Sequence, residues 1–173
     1  INNHKAYVMV NNSSKIEVFN SMNIESGYFV TNEGNFGSGN GSIYFVDMYN
    51  SATEFDISSR YIATINVSSP RYMMKVSENK AYVTDWGING VQVIDLEQNA
   101  VTSSITCGLG PEGIVVSNGY AYVCNVGGWS SDNTVSVIDI YTDNIVATLE
   151  VGDNPNSLSV DVNGDIWALS HGN

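Results

Sequence analysis

The sequence lacks long apolar runs. Its 173 residues are 43% hydrophobic, but the apolar stretches are only four to six residues long. A membrane-spanning helix needs about 20 consecutive apolar residues, so we expect no transmembrane segment. Charged residues are scarce as well, at 14%, yet the apolar fraction is that of a folded protein rather than a disordered one.

Basic residues are absent from the second half of the chain. All six Lys and Arg residues precede position 81, residues 81–173 carry acidic charges only, and the formal net charge is −12. Nucleic acids and anionic membrane surfaces attract proteins that carry clustered Lys and Arg. The charge distribution therefore argues against both as partners.

Residue types suited to catalysis are also few. The histidines, His4 and His171, form no cluster, and no serine-hydrolase, zinc-protease or phosphate-loop motif occurs. Cys107 and Cys124 match no metal-binding or redox spacing, so we expect free, partly buried thiols, with a disulfide as the alternative. These absences predict a protein that is not an enzyme, although distant strands could still bring two carboxylates together.

One acidic segment invites a calcium interpretation. Residues 161–165 (DVNGD) alternate carboxyl and amide oxygens, which suit that ion, but no Gly follows Asp165 and Gly172 stands where a calcium loop has Glu. Asn-Gly between two strands is also a standard hairpin turn. We therefore expect a turn here, and neither a metal nor a cofactor.

A repeat of about 40 residues dominates what is present. The stretch AYVTD at 81–85 returns as AYVCN at 121–125 and as IWALS at 166–170, while Pro70, Pro111 and Pro155 recur at intervals of 41 and 44. Each unit contains four short segments with period-two alternation, typical of strands. Four antiparallel strands in about 40 residues form the blade of a β-propeller. The sequence predicts an all-β propeller.

The repeat is irregular near its beginning. Residues 24–58 fall out of repeat register, and their removal restores the 40-residue spacing between Tyr7 and Tyr82. We interpret 24–58 as a segment that precedes residue 1 in the repeat order, with a surface insertion as the alternative. Residues 1–173 would then form a single propeller domain or a fragment of one. We expect an incomplete portion of a seven-bladed ring, with further sequence after Asn173.

Strand order within a blade predicts where a ligand would bind. The loop between the second and third strands lies on the same face as the proline-containing link to the next blade, and aromatic residues recur in these loops. Aromatic rings would supply a stacking surface, and amides and acids at its edge would orient a ligand. Packing over the blade is the alternative for each Trp, and an internal ion pair with Asp85 or Glu112 is the alternative for Arg71. The predicted ligand-binding residues are Asn32, Glu33, Phe36, Arg71, Tyr72, Asp85, Trp86, Asn125, Trp129 and His171.

The motifs resemble a known family. AYVTDWGINGVQVID at 81–95 and YFVTNEG at 28–34 resemble the bacterial YVTN-type propeller repeat. With FVTNEGNF at 29–36 and NPNSLSVDVNGDIWALSHG at 154–172, the chain is similar to surface-exposed propeller lipoproteins of gut Bacteroidota. The resemblance implies cobalamin binding and transfer of that ligand to a TonB-dependent outer-membrane transporter. It also implies a lipid-anchored position at the cell surface or outer membrane, with secretion as the alternative.

Three functions are therefore open at this point. The first is a non-catalytic surface protein that captures cobalamin, or a similar large small molecule, on the loop face. The second is a propeller scaffold that binds a protein or glycan at the cell surface. The third, a propeller enzyme such as a lyase or a quinoprotein-like dehydrogenase, is disfavoured by the missing histidine and cofactor motifs.

Overall fold

The computed structural model describes residues 8–10, 28–35, 38–46, 61–128 and 132–172. Within these ranges the protein is all-β, with consecutive strands arranged in four sheets, as the repeat predicts. The first sheet contains β1 (Val8–Val10), β2 (Tyr28–Asn32), β3 (Gly41–Val46) and β4 (Tyr61–Val67). The second contains β5 (Pro70–Lys75), β6 (Lys80–Asp85), β7 (Gly90–Asp95) and β8 (Ala100–Thr106). The third contains β9 (Pro111–Ser117), β10 (Tyr120–Asn125), β11 (Thr134–Asp139) and β12 (Asn144–Glu150), and the fourth β13 (Pro155–Val160) and β14 (Ile166–Ser170).

The second and third sheets are the four-stranded antiparallel blades that the sequence predicts. In each, the strands are hydrogen-bonded in sequence order. Each blade begins at its proline, Pro70 or Pro111, which tolerates this position because the first residue of a strand need not donate a ladder hydrogen bond. The described strands form no closed ring.

Alternating side chains of β6 fill two cores. Ala81 and Val83 pack toward the first sheet with Phe29 and Ile43. Tyr82, which lies between Ala81 and Val83, packs toward the third sheet. Successive side chains of a strand point to opposite faces, so a strand between two sheets is apolar on both faces. This explains why AYV is a continuous apolar run.

The first sheet departs from the antiparallel expectation. β1 pairs with β2 in parallel, Val8 opposite Val30 and Val10 opposite Asn32. Both strands match the second strand of the repeat, and two strands with the same role run in the same direction when they lie side by side. β2 and β3 come from the 24–58 segment and are the middle strands of this sheet, and β4 pairs with β3. Residues 11–27 and 47–60 lie outside the described ranges, so the interpretation of 24–58 as an out-of-order segment stays a prediction.

Both cysteines are free thiols, as expected. Burial raises the pKa of Cys107 to about 11 and that of Cys124 to about 12. Cys124 is fully buried in β10.

The described part of the chain has no helix with the length and apolarity to cross a bilayer.

Candidate ligand-binding face

The loop face is the sheet edge at which the second strand of each blade ends. It contains the connection from β6 to β7 (residues 86–89), the connection from β10 to β11 (126–133), and the links into β5 and β9. Trp86 begins a single 3₁₀ turn, Trp86–Ile88, in the first connection. Its backbone N–H donates to the carbonyl of Ser69 in the preceding link, at 3.0 Å. The two kinds of loop therefore meet on one face, as the strand order predicts.

Asp85, a predicted ligand residue, is fully buried at the end of β6. Its Oδ2 accepts a hydrogen bond from the backbone N–H of Ser68 at 2.9 Å, and its Oδ1 accepts from Ser69 at 2.8 Å and from Gly87 at 2.9 Å. The carboxylate thus caps the 3₁₀ turn and holds the link from the first sheet. Its position is that of a structural anchor with no surface offered to a ligand.

Asn32 and Asn125 occupy the equivalent position in their blades. Oδ1 of Asn32 accepts from the backbone N–H of Gly34 at 3.0 Å, within its own turn. Asn125 is fully buried, and its Nδ2 donates to Thr134 Oγ1 at 2.9 Å and to Ser136 Oγ at 3.0 Å. Asn32 thus serves the turn that follows its strand, as Asp and Asn commonly do, whereas Asn125 bonds to hydroxyl groups of the neighbouring strand β11.

Arg71 joins the first three sheets through two carboxylates. Its Nη1 lies 2.7 Å from Oε1 of Glu33, which follows β2, and its Nε lies 3.4 Å from Oε2 of Glu112 on β9. The side chains of Arg71 and Glu33 are only 12% and 5% exposed. The internal ion pair considered for Arg71 is therefore present with Glu112, and Glu33 adds a second partner, whereas the carboxylate of Asp85 is engaged elsewhere.

Trp86 packs between Arg71 and the next blade. The guanidinium carbon of Arg71 lies 4.3 Å from the centroid of the indole, within the range of a cation–π contact. A Cβ added to Gly110 would lie 3.5 Å from Cε2 of the ring, and one added to Gly128 would lie 3.8 Å from Cζ3. The glycines allow the indole to approach the backbone of the third sheet closely. Trp86 is half-buried, and it presents part of its surface to the loop face.

Glu112 lies in a desolvated position beside this pair. Burial raises the pKa of its carboxyl group, while the Arg71 charge and a hydrogen bond from Trp86 lower it, and Glu33 raises it further. Tyr72, 40% exposed, is the aromatic neighbour of Arg71 in β5. Burial, followed by the charge of Glu112, raises the pKa of its hydroxyl group. The structure thus brings together Glu33, Arg71, Tyr72, Trp86 and Glu112, which we call the Arg71 cluster.

The remaining predicted residues lie apart from this cluster or outside the described ranges. His171 is exposed, and its Nε2 lies 2.9 Å from Nδ2 of Asn156, the residue after Pro155. Phe36 and Trp129 lie outside the described residues. The structure therefore offers no test of a platform shared by Trp86 and Trp129.

The 161–165 segment forms a turn in which one carboxylate serves the backbone. Oδ1 of Asp161 accepts from the N–H groups of Asn163 and Asp165, and its Oδ2 accepts from Nε1 of Trp167 at 3.2 Å. These hydrogen bonds, the one from Trp167 first, lower the pKa of Asp161. Within the described ranges, no group of three His, Cys, Asp or Glu residues is arranged to hold a metal ion.

Sequence reasoning left Glu112 and Asn156 out of the predicted site. The signal for both was the repeat itself, because each directly follows a blade-initiating proline, as Arg71 does. The strands that carry them, β9 and β13, are adjacent, since a Cβ at Gly113 would lie 2.8 Å from the carbonyl oxygen of Asn156. The residue after the proline therefore faces the same region of the loop face in successive blades.

Comparison with family models and with curated proteins finds no match for this chain. Solved structures do resemble it. A chain of the Kuenenia stuttgartiensis hydrazine synthase is 22% identical over 58% of this chain and 29% of its own length, with a TM-score of 0.52. A functionally unknown protein from Desulfotomaculum acetoxidans is 13% identical over 75% of this chain and 42% of its own, with a TM-score of 0.54.

A chain of the mitotic checkpoint complex has a TM-score of 0.61, with 13% identity over 75% of this chain and 39% of its own. The hydrazine synthase and the mitotic checkpoint complex both contain β-propellers. The present chain spans less than half of the length of each of these three neighbours. At these identities the likeness establishes the fold alone, an all-β arrangement of propeller-like blades.

Proposed function

We propose that this chain is a non-catalytic capture protein that binds a large, partly polar small molecule on its loop face. The observation that carries the proposal is the stacked pair of Trp86 and Arg71, with Tyr72 beside it, at the junction of three sheets. Aromatic surface with a few fixed polar groups is the usual composition of a small-molecule site.

The geometry favours a ligand that stacks. Arg71 is fixed by Glu33, and the backbone N–H of Trp86 is fixed by the Ser69 carbonyl, so both planar groups are held before a ligand arrives. A preorganised surface loses little conformational entropy on binding. The half-buried indole and the 40% exposed ring of Tyr72 leave apolar area for a flat ligand.

Cobalamin is the first candidate, and the reason is the family resemblance of the repeat motifs. In this proposal the whole protein is a surface lipoprotein of the outer membrane that delivers its ligand to a TonB-dependent transporter. The resemblance rests on YFVTNEGNF at 28–36 and on AYVTDWGINGVQVID at 81–95.

Calorimetric titration with cyanocobalamin tests the proposal, with co-elution of the red ligand on gel filtration as a second readout. We expect one-to-one binding that weakens more than tenfold in Trp86→Ala combined with Trp129→Ala, because stacking contacts contribute about 1–3 kcal/mol. Trp167→Ala is the matched control, since this 60% exposed indole lies on β14, away from the Arg71 cluster. Urea denaturation of each variant verifies that its fold is intact.

Two results would contradict the proposal. Unchanged affinity in the double variant would place the ligand on another face. Absence of binding, together with a stoichiometric protein partner that co-purifies, would favour the scaffold function instead.

A further inference from the structure

We infer that the Arg71 cluster is a pH-sensitive contact, in which Glu112 takes up a proton in mildly acidic solution and thereby strengthens the junction of the first three sheets. This role of Glu112 needs no ligand and goes beyond the proposed function. It makes the rigidity of the loop face depend on a single proton.

Two carboxylates share one guanidinium in this cluster. Nη1 of Arg71 lies 2.7 Å from Oε1 of Glu33, and its Nε lies 3.4 Å from Oε2 of Glu112. The side chains of Arg71, Glu33 and Glu112 are 12%, 5% and 19% exposed. Burial and a like charge nearby both penalise the ionised form of a carboxyl group. One guanidinium balances one of the two charges, so the second carboxylate is the group that a proton neutralises.

Glu112 is that second carboxylate, because Arg71 holds Glu33 more closely and the Glu33 side chain is the more buried of the two. Burial has the largest influence on the Glu112 carboxyl group and raises its pKa. The Arg71 charge and a hydrogen bond from Trp86 lower the pKa, the Glu33 charge raises it, and the net direction is upward. Protonation of Glu112 therefore leaves Arg71 and Glu33 as a one-to-one ion pair.

The other groups around Glu112 do not supply a second cation. Its strand, β9, packs against β5, β6, β10 and β13. Among the described residues, Arg71 is the one cation whose charge acts on Glu112. Burial raises the pKa of Tyr72 on β5 and of Cys124 on β10, so both groups are neutral in acidic solution. The carboxylate of Asp85 on β6 is bonded to backbone N–H groups.

The direction of the pH dependence follows from which state binds more protons. Folding raises the pKa of Glu112 above its ordinary value of 4.5, so the folded protein holds this proton at a higher pH than the unfolded chain does. The resulting stabilisation is fully present below the ordinary pKa of glutamate, and it is lost as the pH rises through the pKa of Glu112 in the folded protein. The Trp86 indole N–H reports the same proton, because its acceptor loses its charge.

An NMR titration of the intact chain measures the proton directly. Carbon spectra follow the side-chain carboxyl of Glu112, assigned through its own backbone amide, from neutral to acidic pH. We expect its midpoint to lie at a higher pH than that of Glu78, an exposed glutamate in the turn between β5 and β6. The indole N–H of Trp86, identified by its loss in Trp86→Phe, should shift with the midpoint of Glu112. A Glu112 midpoint at or below that of Glu78 would overturn the inference.

Urea denaturation of the parent and of Glu112→Gln over the same pH range tests the effect on stability. Gln resembles the protonated carboxyl group, so we expect the variant to gain stability relative to the parent as the pH rises, and this gain to disappear in acid. Glu33→Gln should instead lower the denaturation midpoint at neutral pH, because it removes the closer partner of Arg71. Glu78→Gln is the control and should follow the parent at every pH. A difference between Glu112→Gln and the parent that is independent of pH would refute the pH-sensitive contact.

Discussion

At the scale of single residues, adjacent positions at the end of a strand have different roles, one holding its own turn and the next contacting Arg71. Asp85 ends β6 and is fully buried with its carboxylate bonded to backbone N–H groups, whereas Trp86 directly after it reaches the loop face. Asn32 and Glu33 repeat this division, since Asn32 serves its own turn and Glu33 reaches Arg71 of the next sheet. In these two sheets the last letter of the YVTN-like motif is therefore structural, and the residue after it contacts Arg71.

Asp85→Asn is expected to destabilise the protein by about 2–4 kcal/mol. An amide offers one acceptor oxygen in place of two, and it loses the charge that strengthens the hydrogen bonds to Ser68, Ser69 and Gly87. Urea denaturation followed by circular dichroism measures the effect. Asp153→Asn, an exposed acid in the link before β13, is the control. Equal stability of Asp85→Asn and the parent would show that the buried carboxylate is not an anchor.

The candidate site was only partly predictable at this scale. Sequence reasoning found Arg71, Tyr72, Trp86 and Glu33 because their loops share a face in any propeller. It did not distinguish Asp85, whose carboxylate is bonded to backbone N–H groups, from the residues of the Arg71 cluster, because the bonding of a strand end depends on the link from the preceding blade. The repeat motif shows where each blade begins but not how long the preceding link is. The link has two residues before Pro70 and four residues before Pro111.

At the scale of elements, the second and third sheets are also joined at the edge opposite the loop face. Asp143, in the turn between β11 and β12, accepts hydrogen bonds from the Tyr82 hydroxyl and from Lys80 Nζ. Lys80 Nζ donates in addition to the carbonyl of Ile140 at 2.6 Å. Burial, and then the hydrogen bond to Asp143, strongly raise the pKa of the Tyr82 hydroxyl. The second and third sheets are therefore joined at both ends of their shared core.

A double-mutant cycle with Tyr82→Phe and Asp143→Asn measures the coupling free energy of this contact between the second and third sheets. We expect a coupling free energy of about 1–2 kcal/mol, because Tyr82→Phe removes the hydrogen bond and Asp143→Asn removes the charge that strengthens it. Asn is chosen at position 143 because the backbone φ is 57°, a left-handed conformation that Asn tolerates and most residues do not. Tyr141→Phe, 83% exposed in the same turn, is the control. Additive effects would show that the contact does not couple the sheets.

At the scale of the whole molecule, the repeat predicted the architecture better than it predicted the site. Period-two alternation in AYV and VID, with prolines every 40 or so residues, is enough to place two complete blades. The first sheet could not be predicted in this way, because β1 and β2 both match the second strand of the repeat and pair in parallel. Which of two equivalent strands occupies a position is decided by tertiary packing, and the alternation within either strand carries no information about it.

Several large apolar side chains of β12 and β14 are exposed in the described part of the molecule. Among the described strands, β14 pairs with β13 alone, whereas the equivalent strands β6 and β10 each pair with two neighbours. Trp167 and Leu169 of β14 are each 60% exposed, and Val146 and Leu149 of β12 are 55% and 46% exposed. An unpaired strand edge beside exposed apolar side chains is a template for association with another strand.

We therefore expect the 173-residue chain to self-associate through this edge, and Leu169→Lys to reduce the association markedly. A lysine on an edge strand disfavours strand addition, because pairing would bury its charge. Sedimentation velocity over a hundredfold range of concentration measures the effect, with weight-average mass falling toward that of the monomer in the variant. Tyr141→Lys adds the same charge on an exposed turn away from β14 and should leave association unchanged. If the parent chain stays monomeric over the whole range, or if both variants dissociate it equally, the β14 edge is not the surface of association.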